Sequence, residues 1–321
     1  MKTMLLFLRL IRAVNLSVIA LSLSLFYYLI LVPAHKHKLF TTLLPFTNTE
    51  FVLFIIAVLC IAAAGNIIND YFDFELDKDY KSERALPQGL FSLDVAMYLH
   101  ATLALTGIGL GFYLGYSVSN INIGYYFIIA TLLLYVYSAY LKRVPLVGNI
   151  VIALLSGFVF VLLLLFEANF LRIITFEGGQ YVLDMLLWQG KFYGGFAVLT
   201  TLAREIVKDL EDREGDAVYK INTLAVQFGE GVAKGVAGLV MLLTVAGLSF
   251  FMYSFWQAGA LREFYYLLAL VVLPLLVALV LLFGANSTTS YNRISWLLKF
   301  IMLTGILSMA AFYWFNLPQQ S

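Results

Sequence analysis

Residues 51–77 read FVLFIIAVLCIAAAGNIINDYFDFELD: fifteen residues of almost unbroken apolar chain run straight into a segment holding four carboxylates, Asp70, Asp73, Glu75 and Asp77. The apolar part belongs in a bilayer, where a charged side chain is costly. The acidic part therefore marks a membrane edge at which charge has a use. The rest of the 321-residue chain fits that reading, with 62% hydrophobic and only 12% charged residues and a mean hydropathy of +0.91. Such a composition predicts an all-α, polytopic membrane protein.

Nine candidate spans lie at about 13–32, 51–68, 93–115, 121–138, 146–166, 190–206, 232–255, 265–284 and 295–316, each near the roughly 20 residues that cross a bilayer core. They use up the chain, which predicts a single transmembrane domain over residues 1–321 with nine helices around a central cavity. The first span runs too directly into the rest to read as a cleaved signal. With the N-terminus cytoplasmic, fifteen of the twenty Lys and Arg residues fall on the cytoplasmic side, as the positive-inside rule requires. The expected placement is a multi-pass cell-membrane protein with its C-terminus outside. Fourteen of the nineteen acidic residues share the cytoplasmic side, although topology demands only Lys and Arg there. Cys60 is the only cysteine and lies mid-span, which excludes disulfides and thiolate metal sites within the chain. His35 and His37, in HKHK, read as part of a solvated outer loop, and His100 stands apart from both.

A second acidic stretch, REIVKDLEDREGD, occupies residues 204–216. A shift of 139 positions brings Asp70, Asp73, Glu75 and Asp77 onto Asp209, Asp212, Glu214 and Asp216. Two copies of D-x-x-D-x-E-x-D, each after a hydrophobic helix, indicate an internal repeat. On a helix, positions i, i+3 and i+7 fall within roughly 60° of one another. Asp70, Asp73 and Asp77 are therefore expected to line one stripe, Asp209, Asp212 and Asp216 another, with Asn69 beside the first. Stacked like charges repel, and a counter-cation relieves them. Carboxylate and amide oxygens are hard ligands, suited to Mg²⁺, which is commonly held by one or two carboxylates together with substrate phosphate.

Basic residues accompany the acids in KSERALPQG (81–89) and YSAYLKRVPLVGN (137–149). Lys81, Arg84, Lys142, Arg143, Arg204 and Lys208 are candidates for neutralising phosphate oxygens, with helix-end anchoring as the alternative for Lys142 and Arg143. An apolar cavity with a Mg²⁺-phosphate site at its rim suits a substrate with a hydrocarbon tail and a diphosphate head, an isoprenyl diphosphate. Metal and cations then stabilise departing diphosphate while a nucleophile captures the allylic carbon. A transporter is the competing class, but the acids sit at one rim and the other spans carry almost no ionisable residue to form a pathway.

These motifs resemble those of the UbiA superfamily of intramembrane prenyltransferases. NDYFDFELD matches N-D-x-x-D-x-x-x-D, DREGD matches D-x-x-x-D, and YSAYLKR with the later GN is similar to a further family segment. The resemblance covers essentially the whole chain. It implies that Asn69, Asp73 and Asp77, assisted by Asp70, bind one Mg²⁺, that Asp212 and Asp216, with Asp209 nearby, bind another, and that Lys142 meets the diphosphate. Asp73, Asp212 and Lys142 are the implied catalytic residues. Arg84, Lys142, Arg143, Arg204 and Lys208 are the expected substrate-binding residues. REIVKDLEDREGD is closest to the branch that includes archaeal digeranylgeranylglyceryl phosphate synthase, which implies a geranylgeranyl donor and a geranylgeranylglyceryl phosphate acceptor. KSERALPQG retains Arg84, Pro87 and Gly89 of that branch's N-R-P-x-R-P-x-P-S-G pattern. Quinone-precursor, haem or chlorophyll-type acceptors are the alternatives. The expected partners are a prenyl diphosphate, a lipophilic acceptor and membrane lipid, with no nucleic acid and no obligate protein partner. The charge asymmetry is checked by labelling: single cysteines placed near Gly89 and Glu230 in a Cys60→Ser background should react with an impermeant thiol reagent from the cytoplasmic side only.

Overall fold

The structure, a computed structural model, describes residues 2–33, 47–80, 86, 88–89, 91–173 and 179–316. The HKHK stretch at 35–38, Lys81, Arg84 and Pro87 lie outside the described residues. Among those described, every regular element is helical and none is a strand, in keeping with the all-α expectation. Lipid leaves backbone groups no water to bond, so a helix, which satisfies them internally, is the form such apolar segments take. Among the described residues, eight helices are long and apolar enough to cross a membrane. The expected sixth span, 190–206, lies inside the forty-residue helix Gly179–Val218, which is not among those eight. Gln189, Lys191 and the acidic stretch that continues the helix make it more polar than the others.

The chain divides into two compact units. One comprises Met1–Leu23, His35–Lys142 and Val159–Trp188; the other comprises Ser24–Ala34, Arg143–Phe158 and Gln189–Ser321. The first opens with α1 (Lys2–Leu10) and most of α2 (Ala13–Phe26). Next come α3 (Asn48–Phe72), α4 (Phe74–Tyr80), α5 (Leu93–Ser117) and α6 (Asn122–Ala139). Helix α3 starts at a capping box: the Thr47 hydroxyl accepts from the Glu50 N–H, and the Glu50 carboxylate accepts from the Thr47 N–H. Its partners α5 and α6 come close because small residues permit it. A Cβ at Gly107 of α5 would lie 2.6 Å from Ile61 of α3, and one at Gly124 of α6 would lie 2.3 Å from the Phe112 ring of α5.

The second unit contains the N-terminal part of α7 (Val147–Ile173), most of α8 (Gly179–Val218), the short α9 (Leu224–Gln227) and α10 (Glu230–Gln257). It ends with α11 (Leu261–Leu267), α12 (Leu273–Gly284) and α13 (Thr288–Phe315). A π-turn, Leu268–Val272, links α11 to α12. Its cause is Pro274, near the start of α12: proline has no N–H to offer the carbonyl four residues earlier, and its ring crowds that carbonyl. That carbonyl, on Leu270, accepts instead from the Thr304 hydroxyl of α13 at 2.8 Å. Outside these contacts, large apolar side chains such as Leu105 and Val280 are 70% and 73% exposed, as a lipid-facing surface demands.

Replacing Thr304 with Val preserves shape and removes the donor, leaving the Leu270 carbonyl without that bond in a membrane segment that has no water to replace it. Thermal unfolding in detergent should register a loss of about 1–3 kcal/mol. Thr102→Val, which removes an exposed hydroxyl bonded to Tyr98 O of its own helix, should change stability by less than about 0.5 kcal/mol.

Candidate active site

In the first unit the acidic motif does not lie on one unbroken helix. Helix α3 ends at Asp73, which has φ −90° and ψ 1°, and α4 begins at the next residue. The ladder nearly continues across the break, since Asp73 N–H donates to Asn69 O at 3.0 Å and Asp77 N–H to Asp73 O at 2.8 Å. Asn69 and Asp70 therefore sit on the last turn of α3, Asp73 at the junction and Asp77 on α4, so the single stripe expected for Asp70, Asp73 and Asp77 is bent at its middle member. Asp70 and Asp77 are buried, at 4% and 1% exposure, while Asn69 and Asp73 are partly open and Glu75 is exposed.

Each of Asp70 and Asp73 faces a cation. The Lys142 ammonium pairs with Asp73 Oδ1, and Asn69 Nδ2 donates to Asp73 Oδ2 at 3.0 Å. Lys142 reaches this place from a short 3₁₀ turn, Leu141–Arg143, directly after α6. Its side chain is 9% exposed, whereas that of the adjacent Arg143 is exposed. Asp70 Oδ1 accepts from Arg12 Nη2 at 2.7 Å. Arg12 is a residue that spacing and composition gave no reason to single out. Behind the motif, buried His100 Nδ1 lies 3.0 Å from Ala64 O, and Phe72 packs edge-on against Tyr135.

In the second unit Asp209, Asp212 and Asp216 do share one continuous helix, α8, and hence one stripe. Asp209 Oδ2 accepts from Asn149 Nδ2 of α7 at 2.9 Å, which gives a role to the asparagine of the GN pair. Burial pushes the Asp209 carboxyl up to about 8, with Glu205 and Asp216 adding to the rise and the Asn149 hydrogen bond and Lys208 opposing it. One turn earlier, Arg204 Nη1 pairs with Glu205 at 2.7 Å. Arg204 Nε is buried with no hydrogen-bond partner among the described residues.

The far end of α8 is tied down by groups that sequence reasoning passed over. Glu230, at the start of α10, receives Arg213 at 3.3 Å, Lys234 at 2.7 Å and the Tyr291 hydroxyl at 2.6 Å. Lys234 also donates to Ala285 O and lies over the Tyr291 ring. Asn292 Nδ2 donates to Glu211 at 2.7 Å. Spread over α8, α10 and α13, these partners have no common spacing by which a linear reading would find them.

Among the described residues, no group of three or more His, Cys, Asp or Glu side chains converges to hold a metal ion. In the first unit the reason is plain: Arg12 and Lys142 already draw Asp70 and Asp73 toward themselves. The donor set nevertheless suits a hard divalent cation, being all carboxylate and amide oxygen with no competing thiolate or imidazole. The partly buried Asp209 carboxyl, with its raised proton affinity, is the kind of group that a nearby cation would return to its charged form.

The sequence profile of the UbiA prenyltransferase family matches residues 39–304. Digeranylgeranylglyceryl phosphate synthase of Methanosphaera stadtmanae is 31% identical over 265 residues, covering 82% of this chain and 88% of that one. The enzyme of the same name from Methanosarcina mazei is 32% identical over 287 residues, covering 89% and 90%. That from Methanothermobacter thermautotrophicus is 34% identical over 260 residues, covering 80% and 82%. Among solved structures, the apo form of a UbiA homolog from Aeropyrum pernix K1 superposes with a TM-score of 0.62 at 19% identity, over 91% of this chain and 98% of that one. A structure concerned with digeranylgeranylglyceryl phosphate synthase in membranes gives 0.59 at 24% identity, over 97% and 100%. The similarity in fold and the match across the membrane-spanning chain agree with the motifs: the chain is a polytopic membrane member of the UbiA prenyltransferase family.

Proposed function

We propose that the protein transfers a geranylgeranyl group from its diphosphate to the hydroxyl of geranylgeranylglyceryl phosphate, releasing diphosphate, in a Mg²⁺-dependent reaction at the cytoplasmic membrane edge. The observation that carries the reading is the Asn69–Asp73–Lys142 arrangement, in which a carboxylate, an amide and a shielded ammonium meet at the end of an apolar helix. The acceptor is supported by the relatives' shared name.

Asn69, Asp73 and Asp77 in one motif and Asp209, Asp212 and Asp216 in the other would hold Mg²⁺. When bound, the metal supplies electrostatic stabilisation to the departing diphosphate. The protein's own part is to cover the remaining phosphate charge and exclude water. Lys142 is a compact point charge held in place by Asp73. Arg204 keeps a buried Nε–H available for an anion, and Lys208 stands on the same helix one turn on. Arg84 and Arg143 are assigned to the phosphate groups on charge and sequence position. The bond from the allylic carbon to the diphosphate oxygen breaks, the acceptor hydroxyl oxygen bonds to that carbon, and its proton is released. Cationic side chains are needed because both substrates bring anionic heads, and an unneutralised pair would repel at short range.

Purified protein supplied with Mg²⁺, labelled geranylgeranyl diphosphate and a panel of acceptors tests this, with products identified by mass. Geranylgeranylglyceryl phosphate should be prenylated with a higher kcat/KM than 4-hydroxybenzoate, a naphthoate or haem; a preference for any of those overturns the acceptor assignment. Asp73→Asn and Asp212→Asn should each lower kcat by about 10²-fold or more while the protein still inserts and folds. EDTA should stop wild-type turnover and Mg²⁺ restore it. Arg84→Gln should raise KM for the phosphorylated acceptor more than for the prenyl diphosphate.

A further inference from the structure

Between α1 and α2 the backbone makes a left-handed turn at Arg12, with φ +54°. An L residue with a long side chain rarely takes that conformation, and keeps it where surrounding contacts hold it. Here they hold it from several sides. Ile11 O accepts from Asn66 Nδ2 at 2.9 Å, and Arg12 Nη2 donates to Asp70 Oδ1 at 2.7 Å. Arg12 O accepts from the N–H groups of Asn15 at 2.8 Å and Leu16 at 3.2 Å, starting α2. Below the turn, Leu6 and Leu10 are buried in one cluster with Ile67, Leu86 and Ala96. Asn66 and Asp70 are four residues apart on α3 and share one face, and Asn69 and Asp73 share another, rotated from it by roughly 60°. The first face is bound to Arg12 and its turn, the second to Lys142.

The two cations differ in kind. A guanidinium stays charged and fixes a carboxylate by directed hydrogen bonds, whereas an ammonium is a point charge that other cations can replace more readily. We propose that Arg12 is a positioning residue for the first acidic motif. It holds Asp70 as a fixed counter-charge outside the metal ligand set, leaving Asn69, Asp73 and Asp77 to the metal. The proposal rests on the Mg²⁺ reading of this motif given above. It makes Asp70 part of the scaffold of the site and α1 the element that secures it. Arg12→Gln takes one cation away from a buried carboxylate beside the site, which should strengthen cation binding while spoiling the geometry that turnover needs. A purely structural role for Arg12 would instead weaken both, and a ligand role for Asp70 would appear as much weaker cation binding when Asp70 itself is replaced.

The test uses the full-length protein in detergent, with Mn²⁺ as the probe and free Mn²⁺ measured by electron paramagnetic resonance without substrate. Arg12→Gln should bind Mn²⁺ about threefold more tightly, while kcat falls about tenfold and KM for geranylgeranyl diphosphate moves less. Arg12→Lys, which keeps the charge and loses the directed hydrogen bonds, should restore wild-type Mn²⁺ affinity and only part of the lost kcat. Asp70→Asn with Arg12 intact, which removes a counter-charge but no ligand, should weaken Mn²⁺ binding by no more than about threefold, and decides the matter even if Arg12→Gln does not fold. Tenfold weaker Mn²⁺ binding in Asp70→Asn, or weaker binding in a folded Arg12→Gln, overturns the proposal. Asp73→Asn separates the two readings: unchanged Mn²⁺ binding there would refute the metal site itself, whatever Arg12 does.

Discussion

The ion pair between Lys142 and Asp73 is the contact around which the first unit's membrane edge is organised. A carboxylate at the end of a membrane helix must be hydrated, bound to a cation or protonated. Partial burial of both groups restricts the first course, and Lys142 supplies the second. For the ammonium to reach Asp73, α6 must stop at Ala139 and the chain must turn through Leu141–Arg143. For Asp73 to present its carboxylate there, α3 must give way to α4 at that residue. One electrostatic requirement thus accounts for two local departures from regular helix.

The second acidic motif meets the same requirement differently. Helix α8 passes through it without a break, and Asp209 is served by a neutral amide, Asn149, at 2.9 Å. A neutral donor offsets less of the burial cost than a cation, so Asp209 is the carboxyl whose proton affinity rises to about 8. The two copies are alike in spacing and unlike in partners: cations sit against Asp70 and Asp73 in one, a neutral amide against Asp209 in the other. Glu230, Lys234 and Tyr291 brace the end of the second copy through a network made from three helices. Networks of this kind, with every member bonded, fix geometry more firmly than isolated pairs.

Inside the bilayer, where apolar surface gains little by burial, close packing and satisfied backbone groups carry the fold. Gly107 and Gly124 let α5 approach its neighbours, and Thr304 supplies the hydrogen bond that Pro274 denies to Leu270. Such devices hold the helices together up to the edge at which the charged residues gather. Positioning reacting groups to within ångströms is what a fixed scaffold contributes to a prenyltransferase.

By itself the sequence determined the membrane class, most of the spans, the position of both acidic motifs and membership of the prenyltransferase family. These rest on hydropathy averaged over about 20 residues and on spacings shorter than ten, both local properties of the chain. Lys142 stands out as a candidate too, because its motif is local. Tertiary structure alone decided which carboxylate meets which cation. Arg12 and Asp70 are 58 residues apart, Lys142 and Asp73 are 69, and Asn149 and Asp209 are 60. No periodicity links such pairs, and an arginine near the N-terminus reads as one more positive-inside charge until the left-handed turn at that residue delivers it to Asp70. The break at Asp73 was hidden for the same reason, since helical spacing runs straight through it. Spacing records where along the chain charge is placed; its partner and its proton are settled by burial and by what the folded helices bring alongside.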